Sequence, residues 1–198
     1  MTKSVYLLRH ASTGEEKLVF KGTADEPLSE KGRREAAKLG EKFKLEKIRF
    51  DAVFSSPLSR AAHTAVLASG LLAEAVRIHH GLTDINCGDW EARSVESVKR
   101  EEPALFEIWM NKPAEFAFPG GESVADAALR ARRFLDEITA APGPETLLVV
   151  THRLIINVMV LGALGIDLNT YWRFRYDNCS YSVLCYDGGF YLRAMNLK

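Results

Sequence analysis

Basic and nucleophilic side chains follow three apolar runs of the sequence, at the points where strands are predicted to end. They are Arg9, His10, Arg60, His152 and Arg153. The carboxyl ends of parallel strands meet at one rim of an open α/β sheet, so we expect these side chains to lie close together. No acidic residue is adjacent in sequence to any of them. The sequence therefore predicts a positively charged pocket at that rim.

These residue types suit the chemistry of phosphoryl transfer. A phosphomonoester is a dianion, and an arginine guanidinium binds two of its oxygens through charge-assisted hydrogen bonds. Arg9 and Arg60 are the natural candidates, helped by backbone N–H groups where helices begin. A neutral imidazole is a competent nucleophile towards phosphorus and can form a covalent phosphoenzyme. The rim thus combines the groups needed to bind a phosphate and to attack it.

The elements that must position these residues alternate in type along the chain. Short apolar or β-branched runs predict strands at Val5–Leu8, Ala52–Ser55, Val76–His79, Leu147–Thr151, Ser182–Tyr186 and Tyr191–Met195. Longer stretches predict helices at Ser29–Phe43, Leu58–Leu72, Ser123–Ile138 and Leu154–Leu164. This alternation predicts one α/β domain over residues 1–198, with a mostly parallel sheet covered by helices on both faces. Asp187-Gly188-Gly189 is a hairpin signal, which predicts an antiparallel edge.

One region lacks the hydrophobic period of a helix or a strand. Residues 91–121 contain Pro103, Pro113 and Pro119, and we expect them to form an irregular insertion. Such an insertion would lie over the end of the sheet and act as a lid on the substrate. Its aromatic residues leave two roles open, which are lining the lid or covering the sheet.

Composition excludes several classes of protein. The 26 basic and 26 acidic residues balance, with a pI of about 7.0, which argues against a nucleic-acid-binding surface. A hydrophobic fraction of 47% argues against a disordered chain. The three cysteines, Cys87, Cys179 and Cys185, form no CxxC pair and indicate a reducing compartment. Apolar runs are too short for a signal peptide or a membrane span, so we expect a cytoplasmic protein without membrane contact.

Several short motifs follow one another over nearly the whole chain. They are Leu8-Arg9-His10, Gly22 with Asp25-Glu26-Pro27-Leu28-Ser29-Glu30-Lys31-Gly32, Ser55-Ser56-Pro57-Leu58-Ser59-Arg60-Ala61, Leu82-Thr83-Asp84 with Gly88-Asp89-Trp90-Glu91, Pro119-Gly120-Gly121-Glu122-Ser123, and Thr151-His152. In this order they resemble the histidine phosphatase superfamily, which includes cofactor-dependent phosphoglycerate mutases and small phosphatases such as α-ribazole phosphatase. The resemblance implies a phosphoglycerate mutase-like fold and an activity that needs neither a metal nor a cofactor.

The resemblance also implies a role for each charged residue at the rim. His10 would be the nucleophile that carries the phosphoryl group. Arg9, Arg60 and His152 would bind the phosphate and stabilise its charge during transfer. Nearby cations disfavour protonation of His152 whereas a bound dianion favours it, so the sequence leaves its charge state open.

The proton donor to the leaving group departs from the family pattern. Members usually carry a glutamate, and the matching residue here is Asp84. Aspartate reaches about 1.5 Å less far, and a misplacement of about 1 Å can cost about a hundredfold in rate. We expect Asp84 to be the acid, with Glu16, Asp89 and Glu91 as the spare carboxylates.

Other positions implied to contact the substrate are Gly22, Thr23 and Arg153. Arg153 stands where the family usually has glycine. It is either a surface arginine at the start of a helix or a contact to a second anionic group. Ala11 also replaces a usual glycine. Glu16 falls where many members carry an asparagine near the phosphate.

We therefore expect a metal-independent phosphomonoesterase that hydrolyses a small phosphorylated metabolite through a phosphohistidine intermediate. The motif around Gly120 and the short length resemble the small phosphatases more than the mutases. Two alternatives stay open, which are a cofactor-dependent phosphoglycerate mutase and a degenerate protein that binds a phosphorylated ligand without turnover. The sequence does not fix the oligomeric state, and a homodimer is one option.

Overall fold

The sheet is mixed, with its parallel strands together on one side. The computed structural model describes residues 2–14, 18–143 and 145–198, and within them the strands are β1 (Lys3–Arg9), β2 (Ala52–Ser55), β3 (Arg77–Ile78), β4 (Thr146–Thr151), β5 (Tyr181–Tyr186) and β6 (Phe190–Leu197). Their order is β3-β2-β4-β1-β5-β6. The pairs β3–β2, β2–β4 and β4–β1 are parallel, whereas β5 runs antiparallel to both β1 and β6. The predicted mostly parallel sheet with an antiparallel edge is confirmed.

The helices of the described residues are α1 (Glu30–Leu45), α2 (Ser59–Ser69), α3 (Val95–Glu101), α4 (Pro103–Asn111), α5 (Val124–Ala140) and α6 (Arg153–Leu164). Serines cap two of them, because Ser29 Oγ accepts the N–H of Gly32 and Ser123 Oγ accepts that of Asp126. Helix α2 ends before left-handed Gly70, earlier than predicted. Among the helices described, none is long and apolar enough to cross a membrane.

Helices cover both faces of the sheet, as predicted. Alternate side chains of β1 point to opposite faces, and Val5 and Leu7 join the core beneath α5 and α6. Tyr6 and Leu8 join the second core, beneath α1 and α2. Burying one such side chain stabilises the fold by roughly 1.5–3 kcal/mol, so the two cores hold the sheet firmly from either side.

The expectation of an irregular segment over residues 91–121 is wrong. This segment contains α3, α4 and a short 3₁₀ helix at Pro113–Glu115. Pro103 is the first residue of α4, a position where a missing N–H costs no helical hydrogen bond. A proline that resembles a helix breaker in the sequence therefore begins a helix.

The order of the central strands places the functional rim. β1 lies beside β4, with Arg9 opposite Thr151, and β4 lies beside β2, with Val150 opposite Ser55. These three neighbouring parallel strands end at the same edge of the sheet. The residues that follow them are therefore brought together by backbone pairing alone.

Candidate active site

The backbone around His10 is held by three neighbouring elements. Its N–H donates to the carbonyl of Thr151 (2.9 Å), and its carbonyl accepts the N–H of Cys179 (3.2 Å). The next N–H, that of Ala11, donates to Thr64 Oγ1 of α2 (3.0 Å). The position of the imidazole is thus fixed by β4, the turn before β5, and α2.

The hydrogen bonds of the His10 ring define its tautomer. Nδ1 lies 2.8 Å from the carbonyl of Ala11, which can only accept. Nδ1 therefore carries the hydrogen, and Nε2 keeps its lone pair when the ring is neutral. Burial lowers the pKa of His10 well below its usual value, and electrostatic interaction with His152, Arg9 and Arg60 lowers it further. The ring is consequently neutral at neutral pH, which is its nucleophilic form.

Arg60 lies fully buried in the first turn of α2 and points towards the same rim. Nη1 donates to the carbonyl of Ala24 (2.6 Å), and Nη2 donates to that of Gly22 (2.9 Å) and lies 3.4 Å from Asp84 Oδ2. Its Nε has no hydrogen-bond partner among the described residues. The guanidinium is therefore held on one side by carbonyls and retains an N–H for an anion.

The loop that supplies these carbonyls depends on Gly22. Its φ of +52° is in the left-handed region, and a Cβ there would lie 2.3 Å from Glu91 Oε1. The same Glu91 oxygen accepts both the N–H and the hydroxyl of Thr23, each at 2.7 Å. Thr23, predicted to contact the substrate, therefore donates both hydrogens to Glu91.

Asp25 of the same loop caps the first turn of α2. Its Oδ1 accepts the N–H and the hydroxyl of Ser59, both at 2.8 Å. α2 begins at Ser59 without a side-chain cap from the preceding residue, so Asp25 supplies the cap from a distance along the chain. The acidic residue thereby fixes the helix end from which Arg60 projects.

His152 is fully buried at the start of α6 and is held by Ser56. Its Nε2 lies 2.8 Å from Ser56 Oγ, which itself accepts the N–H of Leu58 (3.3 Å). The Asp84 carboxylate, which can only accept, lies on the Nδ1 side of the ring, so Nδ1 of His152 carries the hydrogen and the serine hydroxyl donates to Nε2. Burial lowers the pKa of His152 well below its usual value, with Arg60 as the next cause, so the ring is neutral.

Asp84 lies between Arg60 and His152. Its Oδ2 is 3.5 Å from His152 Nδ1, and its Oδ1 accepts the N–H of Ile85 (3.0 Å). The turn that carries it is held by Arg130 of α5, whose Nη1 donates to the carbonyl of Gly81 (2.9 Å) and whose Nη2 donates to that of Asp84 (3.2 Å).

Sequence reasoning missed Arg130 as a residue that positions the site. It is one of three arginines in α5, with Arg132 and Arg133, and no local pattern separates it from them. The helical period alone does not reveal that a turn from another part of the chain packs against this position.

The three spare carboxylates have different surroundings. Glu91 accepts hydrogen bonds from Thr23, Asp89 is exposed and does not line the cavity, and Glu16 lies outside the described residues. Of these predicted carboxylates, Asp84 is therefore the one that lines the cavity in the described part of the chain.

A cavity of about 730 Å³ opens at this rim. The predicted site residues that line it are Arg9, His10, Gly22, Arg60, Asp84 and Arg153. His152 lies against His10, with ring centroids 5.2 Å apart, and neither it nor Thr23 lines the cavity. Arg9 Nη1 donates to the carbonyl of Tyr176 (2.7 Å). In the described part of the chain, no cluster of three or more His, Cys, Asp or Glu residues could hold a metal.

Comparison with known families agrees with this arrangement. Residues 5–198 match the histidine phosphatase superfamily (branch 1). The chain belongs to the histidine phosphatase superfamily. The match covers all six predicted residues that line the cavity, so the site described here is part of the family's common domain.

This histidine phosphatase is similar over most of its length to several phosphatases. It is 32% identical over 191 residues to phosphoserine phosphatase 1 of Hydrogenobacter thermophilus, covering 88% of this chain and 89% of the relative. It is 27% identical over 196 residues to adenosylcobalamin/α-ribazole phosphatase of Escherichia coli K12, covering 98% and 96%. The structure of mycobacterial glucosyl-3-phosphoglycerate phosphatase Rv2419c in complex with VO3 superposes with a TM-score of 0.88 at 26% identity, covering 99% and 100%. These relatives support a phosphatase activity for this chain.

Proposed function

We propose that this histidine phosphatase hydrolyses a small phosphorylated metabolite, without a metal, through a phosphohistidine at His10. The observation that carries the proposal is the state of the His10 ring. It is buried and neutral, its Nδ1–H is held by the Ala11 carbonyl, and its Nε2 lone pair is left for attack. The guanidinium groups of Arg9 and Arg60 line the same cavity and suit the charge of a phosphate dianion.

In the first step, Nε2 of His10 attacks phosphorus as the bond to the ester oxygen breaks. Arg9, Arg60 and the Nδ1–H of His152 stabilise the charge on the transferring group. The carboxyl group of Asp84 gives its proton to the leaving oxygen, so the product leaves as an alcohol and His10 carries the phosphoryl group.

In the second step, water attacks the phosphoryl group and the nitrogen–phosphorus bond breaks. The Asp84 carboxylate accepts the proton that the water loses. Inorganic phosphate leaves, and His10 returns to its neutral form. Oδ2 of Asp84 lies 3.4 Å from Arg60 Nη2 and 3.5 Å from His152 Nδ1, which supports a position beside the phosphate-binding residues despite the shorter side chain.

The test is hydrolysis of p-nitrophenyl phosphate in the presence of EDTA, with His10→Ala as the matched variant. The proposal predicts turnover by the wild-type protein that EDTA leaves unchanged and that His10→Ala abolishes. Absence of turnover would favour a ligand-binding protein, and loss of turnover in EDTA would exclude metal independence. Transfer between phosphoglycerates that outpaces release of phosphate would favour a mutase.

A further inference from the structure

The cavity extends well beyond the groups that surround the phosphate. Its volume of about 730 Å³ lies within the range of roughly 300–1,000 Å³ that buries a drug-sized ligand. The wall away from His10 is largely aromatic and comprises Phe20, Phe106, Trp109, Phe118 and Trp172. This wall faces the space that the alcohol part of the ester would occupy.

The aromatic wall is fixed in place by its own contacts. Trp172 Nε1 donates to the carbonyl of Trp109 (3.0 Å), and the two rings meet edge to face with centroids 5.0 Å apart. Trp109 also packs against Phe118, with ring centroids 5.3 Å apart. Flat apolar groups therefore have a rigid surface to pack against.

A cation lies against this wall at Trp172. Arg153 is the first residue of α6, and its guanidinium carbon lies 5.9 Å from the centre of the Trp172 ring. The hydroxyl of Tyr171 is a further hydrogen-bonding neighbour. A guanidinium stacked on an indole keeps its N–H edge available to an anion.

The other charged residues that line the cavity away from the phosphate-binding groups are Lys21, Lys99 and Asp177. Lys21 is paired with Glu26 (2.7 Å), and Asp177 is paired with Lys198 (3.1 Å). In the described ranges, no acidic side chain forms an ion pair with Arg153. The aromatic end of the cavity thus carries a positive charge that no described carboxylate neutralises.

We infer that Arg153 forms a second anion subsite, and that the substrate is a phosphomonoester whose alcohol part joins a flat apolar body to a second anionic group. That group is a carboxylate or a second phosphate. The inference rests on the proposed function, because it assumes that the phosphate to be transferred lies beside His10. The apolar body would pack on the wall formed by Trp109 and its neighbours.

The test compares kcat/KM for phenyl phosphate, 4-carboxyphenyl phosphate and 1,4-phenylene bisphosphate. We expect the wild-type protein to favour at least one charged ester over phenyl phosphate by about tenfold or more, the scale of a hydrogen bond to a charged group. Arg153→Gln should bring that ratio close to one. The ratio is independent of how much of the variant is folded, and the two charged esters distinguish carboxylate from phosphate.

Arg173→Gln is the control, since Arg173 is an exposed arginine near Trp172 that does not line the cavity, and it should keep the wild-type ratio. A wild-type protein without a preference, or a preference that survives in Arg153→Gln, would overturn the inference. Failure to hydrolyse any ester would instead count against the proposed function. Calorimetry then measures the binding of the same esters to His10→Ala, which does not turn them over. Equal Kd values for the charged esters and phenyl phosphate would contradict the second anion subsite.

Discussion

His10 and His152 are neighbouring buried imidazoles, and different hydrogen bonds set which nitrogen of each ring carries the hydrogen. The carbonyl of Ala11 holds the hydrogen of His10 on Nδ1 and leaves Nε2 with a lone pair. The Asp84 carboxylate lies beside Nδ1 of His152 and holds its hydrogen there, while the hydroxyl of Ser56 donates to Nε2. In the proposed mechanism, His10 attacks phosphorus and His152 donates to a phosphate oxygen. At the scale of single residues, the partner of each ring nitrogen decides the chemistry.

Asp84→Asn removes the proposed proton donor while leaving a side chain of similar size. We expect kcat for an alkyl phosphate to fall by about 10²–10⁴-fold, the usual contribution of general acid–base catalysis. The first step with p-nitrophenyl phosphate should fall much less, because nitrophenolate leaves without a proton. Single-turnover kinetics with both esters make the comparison. An equal loss for the two esters would exclude Asp84 as the acid.

At the scale of elements, hydrophobic period and turn residues predicted most of the framework. Ala52–Ser55 was predicted to the residue, and the four predicted helices are all present with ends shifted by a few residues. The short strand β3 is two exposed residues rather than four, because an edge strand needs little apolar sequence. Helices α3 and α4 escaped prediction because a proline was interpreted as a breaker rather than a first helical residue.

The site was predictable to the extent that it follows the strand ends. Backbone pairing of β1, β4 and β2 brings together the predicted site residues that follow these strands, and it does so without requiring any side-chain contact. The supporting contacts of Arg130 and Glu91 were not predictable in the same way. They join positions far apart in the chain, and most of their partners are backbone groups, which the sequence pattern does not reveal.

Two helical glycines provide a matched test of helix packing. Gly40 of α1 lies against α2, where a Cβ would be 2.5 Å from the carbonyl oxygen of Leu67, whereas Gly162 of α6 has nothing within 4 Å. Gly162→Ala should stabilise the protein by about 0.5–1 kcal/mol, because alanine loses less backbone entropy on folding. Gly40→Ala should destabilise it by about 1–2 kcal/mol, because overcrowding outweighs the same gain. Urea unfolding measures both, and changes of the same sign would contradict the described contact.

At the scale of the whole molecule, a net charge of zero is an average over an uneven distribution. Many charges of the described residues are paired on exposed helix faces, such as those of Glu30 with Arg33 and Arg34. The rim instead gathers guanidinium groups around two buried imidazoles. Burial is the main cause that lowers the pKa of each ring; His152 is the next cause for His10, and Arg60 is the next cause for His152. This local positive charge, which the composition conceals, suits the dianionic phosphate group of the proposed substrate.

The buried imidazoles make stability depend on pH. Their pKa values are lowered in the folded protein, so below about pH 6.5 the unfolded chain binds more protons than the folded one. Stability should therefore rise with pH up to about 6.5, by up to about 1.4 kcal/mol per pH unit for each ring. Urea unfolding between pH 5.5 and 7.5 measures the slope. The double variant His10→Gln with His152→Gln should flatten it, and exposed His63→Gln should not. An unchanged slope in the double variant would contradict this origin.

The central claim concerns one covalent bond, between phosphorus and Nε2 of His10. Rapid mixing with p-nitrophenyl phosphate, an alkaline quench and peptide mass spectrometry would locate the phosphoryl group, since phosphohistidine is stable in base and labile in acid. The account predicts a phosphoryl group on the peptide that contains His10, formed in EDTA and absent from His10→Ala. A phosphoryl group on another residue, or turnover by His10→Ala at the wild-type rate, would contradict it.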